Sequence, residues 1–332
     1  MSDEQMNDFD SHSPSDKNDR YLWDKSGPVD RDIEQLERKL QALRHEGDAP
    51  QMRISIRRWR IAPLAIAAVL TLAAGVTWMM FQSADKDGAW NVVAMKGTPT
   101  IDSVPLVGEG RLAVGDWLET DKNAQVRVEV ADIGDVTVHP NSRLKLLVSE
   151  ADKKHGLQLA RGSIEAFIFA PPRLFFVETA SAVAVDLGCQ YLLQVDEQGT
   201  GRLEVLSGWV SFEHDAIDSI VPRDGVCQTR AGIGPGTPYF NDTSDEFVQA
   251  LVEFDFQDGG EDAMNVIVTQ ARPRDTLTLW HLLSRVDGAQ RDRVFDRMTS
   301  FSPPPDEVTR DGVLRLDEQM LEDWWDALQA TW

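Results

Sequence analysis

From Ile61 to Phe81 the chain runs for 21 residues without a charged side chain. Wound as a helix, that run is about 30 Å long, the thickness of a bilayer's hydrocarbon core. Backbone in lipid must satisfy its own hydrogen bonds, so the segment is expected to be a single transmembrane helix, with the parts before and after it folding apart. Pro63 falls in the first turn, where its missing N–H costs nothing. Trp59 and Trp78 sit near the two ends, where indole favours the interface. Arg53, Arg57, Arg58 and Arg60 precede the run, and Asp85, Lys86 and Asp87 follow it. The positive-inside rule then places the N-terminus in the cytoplasm and the bulk of the chain outside, in the periplasm, with the protein held in the inner (cell) membrane. A cleaved signal peptide has a short basic start and an apolar run of about 7–15 residues; sixty residues precede this run, and it is longer. Ala67, Thr71 and Gly75 form a stripe of small residues that can pack two such helices together.

Acids outnumber bases by 55 to 33, a net charge of −22. Residues 1–60 carry 13 acids and 11 bases, so nearly all of the excess lies beyond the apolar run. Phosphate recognition needs a basic face, which excludes nucleic acid as a partner of the whole chain.

The tail, residues 1–60, begins with twenty residues rich in Ser, Asp and Asn that cannot bury enough surface to order themselves. An apolar cluster follows, Tyr21-Leu22-Trp23. An amphipathic helix is expected over residues 28–45: Ser26 and Gly27 can cap it, and Pro28 suits its first turn. Asp30, Asp32 and Glu34 lie near the positive end of its dipole, and Gly47 and Pro50 end it. Ile33, Leu36, Leu40 and Leu43 fall on one stripe. A lone helix of this kind completes itself in a partner's groove, or lies on the membrane surface. Its mixed-charge polar face favours the groove.

Residues 82–89 read as a polar linker. From residue 90 to 243 the period becomes two. Val126, Val128 and Val130 alternate with polar residues, as do Val136 and Val138, Leu144 and Leu146, and Leu157 and Leu159. Turn signals recur between these runs, among them Gly115-Asp116, Gly134-Asp135, Pro140-Asn141 and Gly162-Ser163. Short strands at close spacing predict an all-β sandwich or a short β-helical stack.

Leu112 to Leu118 (LAVGDWL), Val126 to Val130 and Val136 to Ser142 resemble the FecR domain, as does Leu157 to Ser163 (LQLARGS). Phe176 to Thr179, Val185 to Tyr191 (VDLGCQY) and Val205 to Val210 (VLSGWV) follow in the order of that family. Its motif positions here are Gly115, Asp116, Gly162, Gly188 and Gly208, and Cys189 stands where such domains usually carry Thr. The resemblance implies an anti-sigma factor-like regulator: a cytoplasmic segment that holds a sigma factor of the extracytoplasmic-function type, and a periplasmic sensor. On that reading Tyr21, Leu22, Trp23, Ile33, Leu36, Leu40 and Leu43 form the sigma-binding face. The partners are then the sigma factor, the lipid bilayer and a periplasmic protein. The alternative is a membrane-anchored periplasmic scaffold or binding protein that touches no sigma factor.

Two cysteines, Cys189 and Cys227, both lie beyond the apolar run. An oxidising compartment permits a disulfide between them, worth about 3–4 kcal/mol; the other reading is a pair of buried thiols packing as small apolar residues.

Over residues 244–332 the period changes to 3.6 and predicts an α-helical bundle. Phe247, Leu251 and Phe254 share a face, as do Leu279, Leu282, Leu283 and Val286, then Val294, Met298 and Phe301. Met320, Leu321, Trp324, Trp325 and Leu328 form a last apolar face, and Asp275 is placed to cap the helix after Arg272-Pro273. Trp280, Trp324, Trp325 and Trp332 read as core, or as anchors for a partner if exposed.

The six histidines lie outside metal-ligand spacing of one another and of the cysteines. Gly232 to Gly236 lacks the Lys-Ser/Thr of a phosphate loop, and Ser207-Gly208 lacks the preceding glycine of a nucleophile elbow. The expectation is therefore no enzyme, no cofactor and no metal.

Overall fold

The computed structural model describes residues 88–148, 154–329 and 331–332, together with Gln35, Arg38 and Lys39. The chain divides into two units, Met1–Thr77 and Trp78–Trp332. In the first, Gln35, Arg38 and Lys39 are helical and exposed, within the span expected for the amphipathic helix. That helix's apolar stripe and Ile61–Phe81 lie outside the described residues. No helix among the described residues is long and apolar enough to cross a membrane.

The second unit begins with 18 strands, which belong to two sheets. The first sheet contains β1 (Trp90–Lys96), β4 (Glu109–Leu112), β6 (Gln125–Val130), β7 (Gly134–Val138), β12 (Gln190–Val195), β13 (Gly201–Ser207), β16 (Gly225–Arg230), β17 (Gly234–Pro235) and β18 (Tyr239–Phe240). The second contains β2 (Thr100–Ile101), β3 (Val104–Pro105), β5 (Trp117–Glu119), β8 (Arg143–Val148), β10 (Phe175–Glu178), β11 (Val183–Asp186), β14 (Trp209–His214) and β15 (Ile217–Pro222). The long strand β9 (His155–Ile168) belongs to both. Its first half pairs with β8 and, in parallel, with β10. Its second half pairs antiparallel with β7 and β12.

The period-two valines and leucines explain the layering. Val126, Val128, Val136, Val138, Leu144, Leu146, Leu157 and Leu159 are almost wholly shielded from solvent and form one core with Ile164, Phe175, Val177, Tyr191, Leu193, Leu203, Val210 and Phe212. Because side chains alternate across a strand, each apolar set faces the opposite sheet. The body is a two-sheet sandwich, and among the described strand pairs β9–β10 is parallel while the others are antiparallel.

Strand β9 changes sheets at Gly162. There φ is +100°, and a Cβ would lie 2.2 Å from Ser142 Oγ and 2.3 Å from Ser142 Cα. The Ser163 N–H donates to Ser142 Oγ (2.9 Å), which in turn donates to the Ser163 carbonyl (3.1 Å). The pairing register of β8 with β9 shifts beside this point, between Arg143 and Leu144.

Strands end at Phe240 and helices begin at Asp245. The helices are α1 (Asp245–Phe256), α2 (Gly260–Gln270), α3 (Thr276–Arg285), α4 (Gly288–Phe301), α5 (Arg310–Leu314) and α6 (Glu318–Gln329), with a 3₁₀ turn at Pro273–Asp275. The apolar faces read from the 3.6 period bury Phe247, Leu251, Leu279, Leu282, Leu283, Val294, Met298, Trp324 and Leu328. Val286 is buried too, but as the residue that ends α3. Ser244 caps α1 and Thr309 caps α5. Asp275 does not cap α3 through its side chain. Its buried carboxylate accepts from the Arg272 backbone N–H (2.8 Å) and from the Arg272 guanidinium (3.0 and 2.9 Å), so it closes the 3₁₀ turn instead.

The helical layer shares its core with the sandwich: Val226 and Tyr239 pack among the helices, and Phe240 packs with Leu277 and Trp325. A polar seam runs beneath. His281 of α3 is fully buried; its Nδ1 donates to the Leu277 carbonyl (2.9 Å), and its Nε2 accepts from the Ile220 N–H of β15 (3.0 Å). The ring must be neutral to do both, and burial depresses its pKa to about 3. Arg285 donates to Ser219 Oγ (2.7 Å) and the Pro235 carbonyl (3.1 Å) and lies 3.7 Å from Asp255. Asp255 accepts from Thr237 N and Oγ1 (2.6 and 2.9 Å).

Gly162→Ala combines a positive φ with a backbone clash and should cost about 3 kcal/mol. Gly115→Ala, with a positive φ but open space around its Cβ, should cost about 1 kcal/mol. Urea unfolding of the two variants checks the order. A histidine free to ionise near its ordinary 6.5 when unfolded, but only near 3 when folded, binds more protons unfolded. His281 therefore stabilises the fold fully above pH 6.5 and less as pH falls through that value. The melting temperature should drop more between pH 7.5 and 4.5 in the parent chain than in His281→Asn. The raised pKa values of Asp255, Asp218 and Asp186 act in the opposite sense in both proteins, so the difference isolates His281.

Candidate functional site

The motif positions read from the sequence share one structural task. Gly115 and Asp116 lie in the turn from β4 in the first sheet to β5 in the second. Gly162 is the crossing point of β9, Gly188 lies between β11 and β12, and Gly208 lies between β13 and β14. Each stands where the chain passes from one sheet to the other. The Asp116 carboxylate accepts from the Ala113 N–H (2.9 Å), and the Gly115 N–H donates to the Leu146 carbonyl (2.9 Å). Gly208 has φ +73° and lies against the Gly188 carbonyl, which a Cβ would approach to 2.1 Å. Two corners are thus pressed together, leaving no room for a side chain at the second.

The Gly188 corner carries a buried polar cluster. The Asp186 carboxylate accepts from the Gly188 N–H (2.7 Å) and from the Cys189 thiol. Burial raises the pKa of Asp186 and drives that of Cys189 far up, helped by the neighbouring carboxylate. Tyr191, wholly buried beside them, has a hydroxyl without a hydrogen-bond partner among the described residues. A thiol held protonated is a donor and no nucleophile.

Cys189 and Cys227 are both free and buried, which corrects the expectation of a disulfide. Cys227 of β16 sits opposite Leu203 of β13, while the residue after Cys189 pairs with Ser207 on the other side of β13. One strand and four residues of register separate them, well beyond the roughly 7 Å that a bridge can span between Cα atoms. Cys227 instead donates to the Gly236 carbonyl (3.2 Å).

A concavity of about 1050 Å³ opens at the sandwich end marked by Gly162. The β5–β6, β7–β8 and β12–β13 turns gather there, bringing Glu119, Thr120, Asp121, Lys122, Asn141, Arg161, Asp196, Glu197 and Gln198 to its walls. Asp121 and Asp196 spend one carboxylate oxygen each on their own turns, accepting from Asn123 and Ala124, and from Gln198 and Thr200. Arg161 lies 3.9 Å from Glu119. The cleft offers carboxylates, amides and two cations to a polar ligand, without a paired base and nucleophile for covalent chemistry. Among the described residues no three His, Cys, Asp or Glu side chains converge as a metal site would require. The acids of this cleft come from two places far apart in the chain, Glu119 and Asp121 at the β5–β6 turn and Asp196 and Glu197 at the β12–β13 turn, so no local spacing marked them as one site in the sequence.

The tail residues Tyr21, Leu22, Trp23, Ile33, Leu36, Leu40 and Leu43 lie outside the described residues. Of the tryptophans, Trp324 is fully buried against Phe295, while Trp325 joins Trp209, Trp280 and Trp332 in a second cluster with ring centroids 4.5–6.2 Å apart.

Replacing Cys189 by Ala should cost about 1–2 kcal/mol, because it removes a donor from a buried carboxylate. Thr, whose hydroxyl can donate in its place, should cost less than Ala. Thermal unfolding of the two variants checks this, and both native thiols should resist maleimide until the chain is denatured.

Two crystal structures of a protein from Parabacteroides distasonis ATCC 8503, described as a candidate anti-sigma factor, are similar to this chain at 12% identity and a TM-score of 0.33. The match covers 41% of this chain and 64% of that one, so the similarity spans less than two thirds of the other protein. Comparison with curated proteins gives no match. Residues 116–211 match the family model described as FecR protein. That span runs from the Asp116 corner through the Gly162 and Gly188 corners to the Gly208 corner and into β14, and over it the chain carries a FecR domain.

Proposed function

We propose that this chain is a single-pass regulator of the anti-sigma factor type. The FecR domain over residues 116–211 carries the reading. It lies in the same chain as an uncharged 21-residue stretch with arginines on its N-terminal flank, which supports an inner-membrane position with the N-terminus in the cytoplasm and the sandwich and helices in the periplasm. The tail offers a partner the apolar set Tyr21, Leu22, Trp23, Ile33, Leu36, Leu40 and Leu43 and has too little mass to bury it alone. A cytoplasmic sigma factor of the extracytoplasmic-function type is the partner proposed, released when the external part responds to an envelope signal.

Affinity capture of the full-length chain from mildly solubilised membranes should recover a sigma factor. Leu36→Asp with Leu40→Asp, which places two charges on the apolar stripe, should reduce recovery by at least about tenfold. If capture recovers no sigma factor, and deleting residues 1–50 leaves the protein's role intact, the chain is an anchored scaffold instead. Protease added to cells with an opened outer barrier should cleave the β-rich part and spare the tail.

A further inference from the structure

A second concavity lies on the helical layer, away from the polar cleft. It is a groove of about 590 Å³ between α3, α6 and β15. Trp325 forms its floor, and the half-buried Ile220, Trp280, Leu316 and Leu321 line its sides. The Trp280 indole is held in place by donating to the Leu321 carbonyl (3.3 Å). Leu316 has φ +59°, a left-handed conformation in which a helix end usually carries glycine. Its N–H donates to the Val313 carbonyl, and the Asp317 N–H donates to the Gly312 carbonyl, closing α5. A leucine at this position costs about 1 kcal/mol relative to glycine and adds an apolar wall to the groove.

Every charged side chain lining the groove is acidic. Glu318, Glu322 and Asp326 are exposed and spaced four residues apart along α6, a stripe with about 6 Å between neighbours. Neither glutamate forms an ion pair within the described residues. Apolar side walls, an aromatic floor and a one-sign rim together describe a receptor for a ligand of opposite sign.

We infer that this groove docks a cationic amphipathic helix of a partner protein, its apolar stripe seated on Trp325 and Trp280 and its Lys or Arg side chains facing Glu318, Glu322 and Asp326. Charge complementarity selects this occupant. A second copy of the chain would bring a strongly acidic surface to an acidic rim, and an anionic lipid surface would be repelled by it. The assignment is independent of whether the tail binds a sigma factor.

The test uses the full-length chain in neutral-lipid nanodiscs and two synthetic amphipathic peptides. They share a leucine stripe and a benzophenone, one bearing lysines and the other glutamates on the polar face. Cross-links from the lysine peptide should concentrate on residues 217–222, Trp280 and residues 314–329. They should fall at least about tenfold with the glutamate peptide and with Glu318→Lys/Glu322→Lys/Asp326→Lys. A control reversal at Glu119, Asp196 and Glu197 should leave them unchanged. Cross-links spread evenly over the acidic surface, or equally reduced by both reversals, would reduce the attraction to general charge and overturn the assignment. So would a dimer of the chain that Glu318→Lys/Glu322→Lys/Asp326→Lys abolishes, which would give the groove to a second copy, or peptide found only in the lipid.

Discussion

The second unit depends on one strand serving two sheets. Strand β9 pairs with β8 and β10 in one layer and with β7 and β12 in the other. The layers are thus joined through a continuous backbone as well as through the core. A strand can do this only if it bends sharply at one residue while its hydrogen bonding continues on both sides. At Gly162 the backbone takes a positive φ against Ser142, and the Ser142 hydroxyl bonds the Ser163 N–H and C=O. The other motif corners follow from the same constraint. Chains that pass repeatedly between two layers need tight crossings, and at Gly208 the crossing lies against the Gly188 carbonyl. The motif positions read from the sequence are, in physical terms, a set of corners, with Asp186 and the protonated Cys189 thiol holding one of them from inside.

The helical layer is tied to the sandwich by groups that are costly to bury and are satisfied only in the joined state. His281 spans α3 and β15 as a neutral ring, and Arg285 reaches the β strands beside the shielded Asp255. Outside this seam, Arg272 and Arg274 bridge Asp242, Asp275 and Asp224, and Arg274 stacks 4.0 Å from the Phe240 ring centre. Separating the layers would strip Asp255 of its bonds from Thr237, Arg285 of those to Ser219 and Pro235, and His281 Nε2 of the Ile220 N–H, and leaving such buried groups unsatisfied costs more than the net worth of any single contact. The polar cleft and the acidic-rimmed groove therefore belong to one unit, joined in part through β15 and α3.

The strands were legible because the sandwich is built from half-buried strands, whose two faces write alternation into the chain: Val126, Val128, Val136, Val138, Leu144 and Leu146 all face inward as their spacing implied. The helices were legible for the same reason at a different period. Asp275 stands at the N-cap of α3 as its place implied, but its side chain bonds back to Arg272 and closes the 3₁₀ turn rather than the helix itself. The cysteine pair was misjudged because linear order says nothing of the strand between them. The polar cleft was invisible, since its walls come from turns far apart in the chain.

What the amino-acid order determined unaided was local: an uncharged run long enough for a bilayer, the two periodicities, the corner glycines, and an acidic excess beyond the apolar run. Each follows from a residue's own conformational or solvation preference, which needs no neighbour to express itself. Tertiary structure alone decided which sheet each strand joined, that β9 joined both, that the cysteines stay apart, that Val226, Tyr239 and Phe240 of the strands pack among the helices, and that three glutamate and aspartate side chains border an aromatic groove. Those outcomes depend on which distant groups meet, and in a chain whose core residues are mostly Val, Leu, Ile and Phe, local chemistry does not distinguish one apolar partner from another.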